Sequence, residues 1–143
     1  METKIKKSIG FSISHTANLL NSSINKKIKP FGIAIEQRAI LELINSNKTI
    51  KQTELVNILS KDKTTISRTL KALEDKNYII KEKSDNRIYI IKLSKLGQSV
   101  LEKSEKVVSK FREKIDLELS SEEIDNLYKI LNKLEKVARQ SID

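Results

Sequence analysis

Between residues 5 and 28, apolar side chains fall at Ile5, Ile9, Ile13, Ala17, Leu20, Ile24 and Ile28. Spacings of three and four place them along one stripe of a helix. Lys29-Pro30-Phe31-Gly32 then breaks the pattern. Over about residues 35–46 the stretch EQRAILELIN predicts a second helix, with Ile40, Leu41, Leu43 and Ile44 on its buried side. Asn45-Ser46-Asn47-Lys48 reads as a loop. Residues 52–60 predict a short third helix whose Glu54 can reach back to the backbone of Lys51, half of a capping box.

Lys61-Asp62-Lys63 reads as a turn, with Asp62 the N-cap of a fourth helix over about residues 63–76. Ile66, Leu70 and Leu73 occupy one side of that helix. Thr64, Arg68, Lys71 and Asp75 occupy the other, with Ser67 at the flank. Asn77 stands where a left-handed, helix-ending residue belongs. Residues 78–83 and 88–93 are rich in Ile and Tyr and flank Ser84-Asp85-Asn86-Arg87, which predicts a β-hairpin. YII and IYII do not alternate cleanly, so the pattern leaves its apolar face open. Ser94 caps a long fifth helix with Leu96, Val100, Val107, Phe111 and Ile115 in line and Ser104 interrupting them. Ser120-Ser121-Glu122-Glu123 is a full capping box for a last helix carrying Ile124, Leu127, Leu131, Leu134 and Ala138.

At 143 residues the chain is expected to form a single domain, residues 1–143, mainly α with a small β-hairpin. No apolar run approaches the roughly 20 residues needed to span a bilayer, and a signal peptide is not expected. With no cysteine there is no disulfide framework, thiolate nucleophile or thiol switch. These features fit a cytoplasmic protein. The sequence gives no support to an enzyme: it has one histidine, three glycines, no phosphate-binding glycine loop and no metal-ligand spacing. No cofactor is expected.

Charge changes the picture. The net charge is +9, and it is unevenly spread. Residues 48–95 carry 12 basic and 6 acidic side chains, whereas residues 96–143 carry 9 and 10. The most basic third is therefore the one containing the helix-turn-helix-hairpin order, as expected of a segment facing a polyanion. A helix about as wide as a major groove can present its N-terminal residues to base edges, and a hairpin beside it can reach the flanking minor groove. The candidate DNA-binding set is Lys63, Thr64, Thr65, Ser67, Arg68 and Lys71 on the fourth helix with Asp85 and Arg87 in the hairpin turn. Hydroxyls serve base or phosphate, Arg68 can pair with guanine, and Lys71 can hold a phosphate. Arg87 is one of only five arginines among 28 cations, and narrow minor grooves attract Arg. Asp85 is placed to hold its guanidinium or a nearby cation.

At these residues the sequence resembles the MarR family of winged helix-turn-helix bacterial transcriptional regulators. PFGIAIEQ at 30–37, IKQTELVNILSKDKTTISRTLKALEDKNYI at 50–79, Asp85-Asn86-Arg87 and KLSKLG at 92–97 carry the resemblance in their order and spacing. It implies a winged helix-turn-helix whose DNA-binding lobe is residues 35–95, with residues 1–34 and 96–143 as dimerisation helices. It also implies a homodimeric repressor of imperfect palindromes on double-stranded DNA, often relieved by a small-molecule effector. The chain departs from the family pattern in three ways. Asn77 replaces the usual glycine, Ala34 and Lys51 replace capping hydroxyls, and the hairpin is several residues shorter than in many members.

Several residues have blander readings. A lone histidine is more often a surface or half-buried residue; His15 is nonetheless the candidate for an effector pocket. Arg38 reads equally as a surface residue or as a dimer or DNA contact. Tyr78, Tyr89, Phe31 and Phe111 read as core or hairpin-base packing before ligand cleft. The alternatives to a repressor are an activator or architectural protein on the same fold, or a helical protein-interaction module.

Overall fold

The structure, a computed structural model, describes residues 4–141. The chain divides into two compact units, Met1–Val107 and Val108–Asp143.

In the first unit the long stripe beginning at Ile5 does not form one uninterrupted helix. A 3-10 turn over Lys4–Lys7 precedes α1, Ile9–Ile28. Ser8 lies between them in extended backbone, and its hydroxyl accepts the Phe11 amide at 3.4 Å, which restarts the helix with a cap. The far end of the stripe, Ile24 and Ile28, is buried, while Ile5, Ile9, Ile13 and Leu20 are exposed. Gly32 turns the chain at a φ of 77°.

Helix α2, Ile35–Asn47, begins at Ala34, which has no capping oxygen. Two amides take over: Gln37 Oε1 accepts the Ala34 N–H at 3.2 Å, and Asn25 Oδ1, from α1, accepts the Ile35 N–H at 2.7 Å. Asn45-Ser46-Asn47 is the last turn of α2 rather than loop. Asn47 Nδ2 donates to the Leu43 carbonyl one turn back at 2.7 Å. Strand β1, Thr49–Lys51, has no counterpart in the sequence pattern. It has three residues, and its partner lies some forty residues on.

Helix α3, Gln52–Leu59, ends at Ser60 in left-handed conformation, and α4 follows over Lys63–Asp75. Leu55 of α3 and Ile66, Leu70 and Leu73 of α4 are buried. Asn77 adopts a φ of 63°, the left-handed stop its position predicts. Strands β2, Ile79–Lys83, and β3, Tyr89–Leu93, pair antiparallel with Lys81 opposite Ile91, and β1 joins the other edge of β3. The hairpin's open face is thereby settled. Ile79 and Ile91 share one face and are buried, and Ile80 on the other face is exposed; Tyr89, on the face of Ile91 but next to the turn, is exposed as well.

Helix α5, Lys95–Leu117, is capped by Ser94, whose hydroxyl accepts the Gly97 N–H at 3.0 Å. Gly97 is required by close approach, since a Cβ there would lie 2.0 Å from the Tyr78 carbonyl oxygen. Ser104, which breaks the apolar stripe of α5, is fully buried because it serves Arg38. Arg38 is not a surface residue. It is 0 % exposed, and its Nε donates to Ser104 Oγ at 2.8 Å. Its Nη2 donates to the Leu101 carbonyl at 3.0 Å and to Glu105 Oε2 at 2.7 Å, and Nη1 donates to Glu42. A planar fork with five donors is what such a clamp between α2 and α5 needs.

The second unit contains the end of α5 and helix α6, Ser121–Gln140. Ser120 and Glu123 form the reciprocal capping box at 2.9 and 3.1 Å. No described residue of α6 is buried, and Leu127, Tyr128, Ile130, Leu131 and Val137 are exposed along it.

Candidate nucleic-acid interface

Asp62 starts α4 with two bonds. Its Oδ1 accepts the Thr65 N–H at 2.7 Å, and its Oδ2 accepts the Thr65 hydroxyl at 2.9 Å. The backbone hydrogen bond from Thr65, and then the one from its hydroxyl, hold the Asp62 carboxyl below the usual carboxylate range. Thr65 is thus occupied in building the helix start. Thr64 is exposed, and among the described residues nothing engages its hydroxyl. Arg68, one turn on, is exposed and in no ion pair among the described residues. Lys63 is likewise exposed and unpaired. Lys71 is paired: its ammonium donates to Asp75 Oδ1 at 3.0 Å, which raises its pKa above the usual lysine value. Ser67 Oγ accepts a bond from Gln52 Nε2 of α3 at 3.0 Å.

The hairpin turn is tight. Arg87 N–H donates to the Ser84 carbonyl at 2.9 Å, closing a β-turn over Ser84-Asp85-Asn86-Arg87. Ser84 N–H donates to the Ile88 carbonyl at 2.8 Å, so three residues form the loop. Arg87 occupies its third position with a φ of 61°. That position is the left-handed one where a three-residue hairpin prefers glycine. Asp85 and Arg87 are both exposed, and no hydrogen bond or ion pair joins them among the described residues. Asp85, expected to hold the Arg87 guanidinium or a nearby cation, does not engage Arg87, whose place in the turn is set by the backbone.

An open cleft of about 730 Å³ lies between these elements. Lys63 and Ser67 of α4, Arg87 of the turn, and Lys51, Gln52, Lys81 and Tyr89 line it, with no carboxylate among the described lining residues. The Lys81 ammonium sits 4.1 Å from the centroid of the Tyr89 ring. Lys51, Gln52, Lys81 and Tyr89 were not singled out from the sequence as part of this face. The available signal was the Lys-rich β2, whose alternation puts Lys81 and Lys83 on the same face as Tyr89 once the register is known.

His15 is exposed on α1 and stacks on Phe11 at 5.9 Å between centroids. It is not among the residues lining the clefts described here. One of these, about 710 Å³, is bordered by Asn25, Lys29, Ile33, Gln37, Lys76 and Tyr78. There the Lys76 ammonium and the Tyr78 hydroxyl both donate to the Gly32 carbonyl, at 3.2 and 3.0 Å.

A short helix, a turn, an amphipathic helix and a three-stranded sheet ending in a hairpin define a winged helix-turn-helix, with α4 in the recognition position. The family described as MarR family matches residues 33–89, the segment that holds the helix-turn-helix and most of the wing, and that segment resembles the MarR family of transcriptional regulators. It is 25% identical over 104 residues to the uncharacterised HTH-type transcriptional regulator YwoH of Bacillus subtilis, covering 72% of this chain and 76% of that protein. Among solved structures it is similar to S. aureus MepR in a DNA complex, with a TM-score of 0.82 and 20% identity over 93% of this chain and 98% of that one. It is also similar to a mutant MarR from E. coli complexed with operator DNA, with a TM-score of 0.81 and 22% identity over 93% and 99%. At those identities the likeness concerns the fold.

Proposed function

We propose that this protein binds double-stranded DNA sequence-specifically as a homodimer, acting in the cytoplasm as a repressor that a small ligand releases. The observation that carries the reading is the shared face of α4 and the wing. The Thr64 hydroxyl and the Arg68 guanidinium are exposed and in no hydrogen bond or ion pair among the described residues, and Arg87 is held at a position that otherwise favours glycine. In this reading α4 enters the major groove, Arg68 contacts a guanine, and Thr64 contacts a base or phosphate. Arg87 reaches the flanking minor groove. Lys63 and Lys71 serve phosphates, Lys71 by exchanging Asp75 for the backbone. Thr65 and Asp62 set the helix start. Ser67 offers its hydroxyl proton while Gln52 occupies a lone pair. The DNA-bound MarR and MepR structures that share this fold support the reading.

The homodimer rests on the exposed apolar positions of α1 and α6. Ligand release rests on the cleft beside Lys29, Lys76 and Tyr78, whose two lysines and apolar wall suit a small anionic aromatic compound. His15 stays outside that assignment. Selection of bound duplexes from a random pool tests the whole reading. The expected result is an inverted repeat with half-sites one or two helical turns apart; recovery of no common sequence refutes specific binding.

A further inference from the structure

We propose that the cleft lined by Lys51, Gln52, Lys63, Lys81, Arg87 and Tyr89 seats one phosphodiester of the DNA backbone. Lys51, Lys81 and Gln52 thereby become contacts additional to the recognition helix and the wing tip. The inference rests on the DNA-binding reading above.

Three observations lead there. First, Lys51, Lys63, Lys81 and Arg87 border one concavity with no carboxylate among its lining residues. Two cations outside it are paired with carboxylates, Lys71 with Asp75 at 3.0 Å and Lys92 with Glu82 at 2.9 Å. Four cations around one cleft repel each other, and an anion relieves that repulsion. Second, Lys81 is held in place. The register pairs Lys83 with Tyr89, so Lys81 is the diagonal neighbour of Tyr89 on the same face, with its ammonium 4.1 Å from the ring centroid. Third, Gln52 is half-satisfied. Its Nε2 donates to Ser67 Oγ, while Oε1 is buried without a partner. Nε2 spends one of its two hydrogens on Ser67, and the second is available to an anionic acceptor in the cleft that Gln52 lines. The cleft takes its lining from α4 and from the wing, so a duplex touching both passes over it.

The test measures binding of a pool-selected duplex against salt concentration for wild type, Lys51→Gln, Lys81→Gln, Gln52→Ala, Tyr89→Leu and Tyr89→Phe. Each lysine variant is expected to lose about two units of the salt slope, one from each subunit of the dimer. Its affinity should fall about five- to tenfold, evenly across base-substituted duplexes. Gln52→Ala is expected to lose affinity with the slope kept, since it carries no charge. Tyr89→Leu should lose part of the Lys81 effect and Tyr89→Phe should retain it. A neutral methylphosphonate at the seated position of each half-site should weaken wild type about as much as Lys81→Gln does, and should weaken Lys81→Gln no further. Full slopes in both lysine variants, or no methylphosphonate position that is silent in Lys81→Gln, overturn the seat while leaving DNA binding intact. A wild type that ignores every duplex at low ionic strength overturns both. Inorganic phosphate that binds wild type but not Lys81→Gln, with the duplex salt slope unchanged, overturns the phosphodiester in favour of a small anion.

Discussion

A left-handed residue with a side chain strains the backbone by about 1–2 kcal/mol, and Arg87 accepts that strain at a φ of 61° on an exposed turn. The turn's hydrogen bonds need only the backbone there, and under the proposed function the side chain serves the DNA. Arg87→Gly is therefore expected to leave the protein as stable or slightly more stable, by up to about 1 kcal/mol, because relieved strain outweighs glycine's extra freedom in the unfolded chain. The same variant should bind duplex more weakly and lose preference for A·T-rich flanks. Urea melts and duplex titrations check the two halves, and a variant that is both less stable and unchanged in binding contradicts the account. Arg87→Lys keeps charge and strain but loses the planar fork, so any flank preference it loses belongs to the guanidinium. At the start of the recognition helix the relevant quantity is pH. Asp62 has its folded pKa lowered by the bonds from Thr65. The stabilisation it contributes is therefore fully present above the ordinary carboxylate range and is lost as the pH falls through the depressed folded value. Asp62→Asn keeps an acceptor for Thr65 and should remove this dependence, seen as a flatter melting temperature from neutral pH into the acid range.

At the scale of elements, the recognition helix and wing were legible because their signals are local: Asp62 before the helix, Asn77 after it, and turn residues between two Ile-rich runs. What the sequence hid was set by partners far along the chain. β1 exists because β3 pairs with it, and no three-residue run shows that in advance. Ser104 looks like a flaw in the α5 stripe until Arg38, 66 positions earlier, is found donating to it. Arg38 looks like any surface arginine because burial of a charge depends on acceptors the pattern does not reveal. The left-handed backbone at Arg87 was also illegible, since glycine is the residue that announces it. The clamp makes a prediction that runs against pattern reading. Ser104→Leu completes the apolar stripe on paper, yet it should destabilise the fold by about 1–3 kcal/mol through overpacking and loss of the Arg38 Nε acceptor. Arg38→Met should lose about 2–4 kcal/mol: it leaves the Leu101 carbonyl and Ser104 facing an apolar chain, while the partly exposed Glu42 and Glu105 regain water. Urea denaturation followed by circular dichroism measures both, and a Ser104→Leu protein as stable as wild type would remove the clamp from the energetics.

For the whole molecule, the decisive surfaces are the ones its own chain leaves uncovered. Every described residue of α6 is at least partly exposed, including Tyr128 at 63 % and Val137 at 59 %. Ile9 at the start of α1 is 64 % exposed. Apolar surface left in water forgoes about 25 cal/mol per Å², and monomeric proteins rarely keep more than a few hundred Å² of it in one patch. The sequence of α6 shows that the exposure is not an accident of a weak helix. A reciprocal capping box fixes its start, Arg139 pairs with Glu135 on its surface, and its apolar residues keep helical spacing. A well-formed amphipathic helix with its stripe unburied suits an interface, and under the proposed function a two-fold partner covers it. Light scattering is expected to give about twice the chain mass of 16.4 kDa at micromolar concentration. Leu131→Glu combined with Tyr128→Lys should shift it to a monomer with the helical circular dichroism of the first unit retained. That monomer can reach only one half-site at a time, so its salt slope on the selected duplex should fall to about half that of the dimer. A wild type that scatters as a monomer, or a double variant that remains dimeric with an unchanged slope, would place the dimer contact elsewhere and leave the α6 stripe without its partner.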